Sequence, residues 1–90
     1  MEINVTQGDI DAGDRCNGYH CPIALAVRRR LAMDMIQVSP SILQVCIDNT
    51  WKSYSLPKEA TEFIQNFDKG KEVHPFTFIA EERNKILSSS

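Results

Sequence analysis

Two residues, Asp48-Asn49, stand between two strand-forming runs, and they constrain the fold more than any other feature of the chain. The run before them, residues 42–47, is rich in β-branched and apolar side chains, and the run after them, residues 50–56, carries Trp51 and Tyr54. Asp and Asn tolerate the positive φ that a tight two-residue hairpin loop requires at both central positions. A hairpin forces antiparallel pairing, and its loop length fixes the register. With two loop residues, Cys46 lies opposite Trp51. Side chains alternate along a strand, so Leu43, Val45 and Ile47 then face the helices, while Ile42, Cys46 and Trp51 share the other face. A three-residue loop would instead turn Trp51 inward beside Ile47. The first register makes Ile42, Cys46 and Trp51 a candidate interface, because an exposed apolar patch of this kind marks a contact surface.

Helical periodicity is clearest over residues 57–68. Ala60, Phe63, Ile64 and Phe67 recur at i, i+3, i+4 and i+7, with Pro57 at the start and Gly70 at the close. A second helix is expected from Pro22, a residue favoured at the first helical position, through residue 33. Ile23, Val27 and Leu31 fall on one of its faces with Ala24 beside them. Arg28-Arg29-Arg30 marks its exposed end and suits the negative helix C-terminus. Ahead of it, residues 2–5 read as a strand with Ile3 and Val5 on one face. Thr6 offers an N-cap, with Asp9 three residues on in the form of a capping box. The short helix this opens contains Ile10 and Ala12 and stops at Gly13. Residues 35–38 read as a short strand ended by Ser39-Pro40, and residues 75–79 as a last strand with Phe76 and Phe78 toward the core.

The order β-α-α-β-β-β-α-β predicts an α+β fold: a small, mainly antiparallel sheet with helices packed on one face. The expected core is Ile3, Val5, Ile23, Val27, Leu31, Val45, Ile47, Phe63, Ile64, Phe67, Phe76 and Phe78. A chain of 90 residues makes one domain, taken as residues 1–85, with 86–90 a frayed tail.

The formal charge of −2 gives no support to a duplex-DNA binder, which neutralises phosphates with a basic excess. No apolar run approaches the roughly 20 residues that span a bilayer, and Met1-Glu2-Ile3-Asn4-Val5 is not the start of a secretory signal. Three cysteines are an odd number, which fits free thiols in a reducing, cytoplasmic setting better than a disulfide framework.

The chemically unusual segment is Cys16-Asn17-Gly18-Tyr19-His20-Cys21-Pro22. Cys16, His20 and Cys21 offer zinc-type ligands. A second ligand pair is missing, however, unless Cys46 and His74 converge from distant strands, so no metal or cofactor is expected. The cysteines read more simply as small buried hydrophobes. A thiol-redox reading is the rival, since a helix start lowers the pKa of a thiol such as Cys21. The helix start also suits a small anion, with backbone N–H groups around Ile23 and Ala24. Arg15 would add a charge and Tyr19 a stacking face, which gives Arg15, Tyr19, Cys21 and Ile23 as a candidate ligand site. Arg28-Arg29-Arg30 reads as a solvated basic run before it reads as a nucleic-acid contact. Glu59, Glu62, Glu81 and Glu82 form no catalytic pair, no serine has a nucleophile-elbow context, and no phosphate-binding glycine motif is present. Nothing argues for an enzyme.

Several short pieces recur in a fixed order: Val5-Thr6-Gln7; Cys21-Pro22-Ile23-Ala24-Leu25-Ala26; Leu56-Pro57 ahead of Ala60 and Phe63-Ile64; Phe67-Asp68-x-Gly70; and Val73-x-Pro75-Phe76-x-Phe78. Together they resemble a family of short uncharacterised proteins from phages and bacterial genomes. The resemblance implies a shared fold and a phage source, and it brings no catalytic residues with it. The reading as a whole is a small non-catalytic binding protein, of the kind a phage uses as an accessory or anti-defence factor. It would occlude a host protein through the sheet face, or sequester a small anionic ligand at the helix start, in a pocket between subunits of a homo-oligomer. The alternative is a thiol-based redox or metal-binding protein using Cys16 and Cys21.

Overall fold

A computed structural model describes residues 1–32 and 35–83. The expected helix end at Met33 and the tail at 86–90 lie outside the described residues. The elements are β1 (Glu2–Val5), α1 (Gln7–Ala12), α2 (Pro22–Leu31), β2 (Ile36–Val38), β3 (Ile42–Ile47), β4 (Thr50–Ser55), α3 (Lys58–Asp68), β5 (Phe76–Ile79) and β6 (Glu81–Glu82). The α+β class and the order of elements are those read from the sequence. The two-residue β6 is an addition.

The hairpin loop is the tight form. Asp48 and Asn49 both take positive φ, 52° and 63°, as a type I′ turn requires, and Cys46 pairs with Trp51. All strand pairs are antiparallel, in two ladders, β1-β5 and β2-β3-β4-β6. The ladders meet at Ala80, which is fully buried between β5 and β6. Its N–H donates to the Met1 carbonyl, whereas the Arg83 N–H donates to the Ser53 carbonyl. Groups three residues apart leave opposite edges of an extended segment. The β5–β6 stretch therefore has β1 on one edge and β4 on the other, and joins the two ladders.

Burial alternates as the register demands. Ile3, Val5, Ile36, Val38, Leu43, Val45 and Phe78 are buried, and α2 contacts both β1 and β2 from that side. Helix α3 reaches the same side through a row of rings. The centroids of Phe63 and Phe76 are 4.8 Å apart, and those of Phe76 and Phe78 are 5.4 Å apart. Most of the expected core is buried. Leu31, Ile47 and Phe76 instead lie at its margin, half-covered. The expected list leaves out Ile36, Val38 and Leu43 on β2 and β3, and small or end residues such as Ala24, Ala26, Ala60, Ala80 and Leu56.

Each helix end has a local cause. The capping box of α1 is complete: Asp9 N–H donates to Thr6 Oγ1, and Thr6 N–H donates to Asp9 Oδ2. Gly13 ends α1 with an ordinary φ of −76°, so its glycine is not there for a left-handed turn. A Cβ at that position would come within 2.6 Å of the Pro22 ring, and close packing of the α2 start is the reason. Helix α3 ends in a Schellman turn. Lys71 N–H donates to the Asn66 carbonyl and Gly70 N–H to the Phe67 carbonyl, with Gly70 at φ +80°.

Arg28-Arg29-Arg30 is not a uniformly solvated run. Arg29 Nη1 donates to Asp9 Oδ1 at 2.6 Å, and Arg29 Nη2 donates to Asp9 Oδ2 at 3.0 Å and to the Asn4 carbonyl at 2.9 Å. Asp9 is the one buried charged residue among those described, at 5% exposure. Burial pushes its carboxyl pKa up. The Arg29 hydrogen bonds, the Thr6 N–H and the Thr6 hydroxyl outweigh that, so the net pKa lies below the usual carboxylate value. Folded Asp9 thus holds its proton less readily than unfolded Asp9. Its contribution to stability is complete above the unfolded pKa of about 3.9 and is lost as pH falls through the lower folded value. Denaturant titrations should show Asp9→Asn less stable than the parent by about 1–3 kcal/mol at pH 7, toward the lower end because Arg29 is half-exposed. The variant should also lose less stability than the parent between pH 5 and pH 2.

Candidate functional site

Two surfaces carry the residues singled out by the sequence: the loop ahead of α2 and the outward face of the sheet. The loop is held by its own backbone. Asp14 N–H donates to the His20 carbonyl and His20 N–H to the Asn17 carbonyl, while Asn17 Oδ1 accepts from Tyr19 N–H. Cys16 takes a φ of 54° and donates its N–H to Asp68 Oδ1 at 2.8 Å, which ties the loop to the end of α3. Gly18 lies on the free edge of β2, where its carbonyl accepts from Val38 N–H at 2.8 Å. A Cβ on Gly18 would fall 2.3 Å from the Val38 carbonyl oxygen, so only glycine allows this approach. The contact covers an edge that would otherwise present unpaired backbone groups.

Between loop, α2, α3 and the end of β2 lies a cavity of about 240 Å³. Val38, Pro40, Ile64 and Cys21 supply apolar wall, and Asp68 and Cys16 supply polar groups. Of the expected ligand residues Arg15, Tyr19, Cys21 and Ile23, only Cys21 lines this cavity. Ile23 is fully buried in the core and Tyr19 is exposed to solvent. Arg15 lies against the turn after α3, where a Cβ on Gly70 would be 3.4 Å from its guanidinium. The helix start itself is capped from within. Cys21 Sγ accepts from Ala24 N–H at 3.4 Å, and Pro22 has no N–H to give. Burial pushes the Cys21 thiol pKa up, and the backbone N–H bonds of Ala24 and Ile23 offset this only in part. The sequence expectation of an activated thiol at the helix start is reversed by desolvation. Cys16 is exposed, and no group of three potential metal ligands is found among the described residues.

The outward sheet face is assembled by register. Ile36 pairs with Val45, which sets Met35 beside Cys46, and the Cys46 N–H donates to the Met35 carbonyl at 3.0 Å. Cys46 in turn pairs with Trp51. Met35, Cys46 and Trp51 therefore stand side by side across neighbouring strands, with Met35 56% and Trp51 51% exposed. Ile42 is half-buried on the same face at the far end of β3. Ile79 adds a further exposed apolar side chain on β5. The other outward positions of β2, β3 and β4 are Gln37, Gln44, Ser53 and Ser55, none of them charged. Charge enters this face only toward the β6 and β1 side, where Glu81 pairs with Ser55 and Glu2 with Ile79, so the outward positions of β2, β3 and β4 form an uncharged patch. Met35 was missed in the sequence because it lies outside the hairpin; only the β2–β3 register reveals it.

No family model, curated protein or solved structure matches the chain.

The Gly18 contact gives a direct check on the loop. Gly18→Ala should move the loop off β2, and hydrogen exchange at the Val38 amide should become at least tenfold faster while amides in α3 keep their protection. Unchanged exchange at Val38 would refute the contact.

Proposed function

We propose that this chain is a small binding protein that occludes a partner protein with the helix-free face of its sheet, centred on Trp51. The observation that carries this reading is the cross-strand row Met35–Cys46–Trp51, with Met35 and Trp51 exposed and the remaining outward positions of β2, β3 and β4 uncharged. Interface centres are depleted in charge and enriched in Trp and Met, and a tryptophan whose ring is desolvated on binding commonly dominates the energy. The amides and hydroxyls of Gln37, Gln44, Ser53 and Ser55 provide a hydrogen-bonding surround for an apolar centre. The resemblance to short phage and bacterial proteins favours a host protein as the partner and an accessory or anti-defence role, by analogy only.

The anionic-ligand reading has less support. The loop cavity holds the carboxylate of Asp68, and Ala24 N–H, one of the donors an anion would use, is already taken. The redox alternative is weakened by the buried position of Cys21, whose raised pKa disfavours the thiolate.

The test is partner capture by immobilised protein, scored by variant. Trp51→Glu and Met35→Glu should each weaken capture of the same protein at least tenfold, with circular dichroism unchanged. Lys58→Glu, at the exposed start of α3, should leave it intact. Equal capture by the Trp51 and Met35 variants would rule out the sheet face as the binding surface.

A further inference from the structure

The loop cavity has a chemistry of its own, separate from the sheet face. At one end stands Asp68, the last residue of α3, and around it lie Val38, Pro40, Ile64 and the buried Cys21. The carboxylate accepts one backbone N–H, from Cys16, and an ionised carboxylate has room for more donors than that. Among the described residues it makes no ion pair; those found join Arg29 to Asp9, Lys58 to Glu62 and His74 to Glu72. No Lys, Arg or His lines the cavity. Asp68 also sits at the C-terminus of its helix, where the aligned peptide dipoles add negative potential. Opposite it, the α2 start offers an anion little, because its Ala24 donor is bonded within the chain. A carboxylate facing an apolar wall in a space of about 240 Å³, somewhat below drug-sized pockets, selects a cation with a short hydrocarbon body.

We propose that this cavity binds a small alkylammonium ion, the ammonium on Asp68 and the chain against Val38, Pro40 and Ile64. The ammonium supplies the donors that the carboxylate lacks, and the chain removes apolar wall from water. Few atoms make the contact, so the dissociation constant should be on the order of millimolar.

The experiment uses the whole chain, labelled for amide NMR, and titrates n-butylammonium against two matched probes, n-butanol and butanoate, at constant ionic strength. Saturable shifts are expected at the Cys16, Gly18 and Asp68 amides with butylammonium, at least fivefold tighter than with butanol, and none with butanoate. Asp68→Asn keeps an acceptor for the Cys16 N–H but removes the charge, and should bring the amine and the alcohol within twofold of each other. Ser39→Trp, a change at the exposed mouth, should block both, and it keeps the test open if the Asp68 variant does not fold. The proposal is overturned if no saturable shift occurs with butylammonium, or if butanol or butanoate binds as tightly. It is also overturned if Asp68→Asn keeps the preference for the amine, or if Ser39→Trp leaves binding unchanged.

Discussion

The carboxylate of Asp9 is the point at which the first third of the chain is tied together. One oxygen caps α1 through the Thr6 N–H, both receive the Arg29 guanidinium, and the same guanidinium holds the Asn4 carbonyl on β1. A six-residue helix cannot persist in water by its own hydrogen bonds. Here α1 is held because its capping residue is also the anchor for α2. The arrangement sets α2 against β1, and with it Ile23 and Val27 against Ile3 and Val5 in the core. A carboxylate this buried is favourable only while its hydrogen bonds are complete.

From that anchor the sheet acquires two unlike faces. One is closed by α2, by α3 with its ring contacts to β5, and at the β2 edge by the glycine approach of the 16–18 loop. Among the described residues, no helix packs on the other. The apolar residues lie mainly on the first face, and the exposed ones on the second, Met35, Trp51 and Ile79, stand out because the first is so completely covered. Surface apolar residues scattered singly need no explanation. A row aligned across three adjacent strands, with the uncharged Gln37, Gln44 and Ser53 beside it, is a different observation and is the basis of the binding proposal.

How much of this was legible beforehand depended on range. The hairpin at Asp48-Asn49 and the Thr6–Asp9 box are local, set by turn chemistry and a three-residue spacing, and both were readable. So was the face of α3 that buries Phe63, Ile64 and Phe67. The Arg29–Asp9 pair spans 20 residues, and three adjacent arginines look alike until β1 and α1 are placed. The division of the last strand at Ala80 could not be read either, because an alanine carries no mark of which edge its backbone will serve. At the candidate site, Trp51, Cys46 and Ile42 followed from register, but the cavity did not. Asp68 and Cys16 are 52 residues apart, and the sequence-based search for a ligand site followed the positive α2 start rather than the negative α3 end. Cysteine as the α2 cap was overlooked because sulfur is a weak acceptor and uncommon in that role.

The central claim is that Trp51 lies at the middle of a contact with another protein. Trp51 is the chain's only tryptophan, so fluorotryptophan incorporated into this chain alone reports on that one ring. Its fluorine NMR signal, followed as the captured partner is added, is the most direct measurement. The account predicts that the signal of the complex loses its sensitivity to exchange between light and heavy water, because the ring has left solvent. A complex that forms at full stoichiometry with the fluorine signal unshifted and still solvent-sensitive would contradict it.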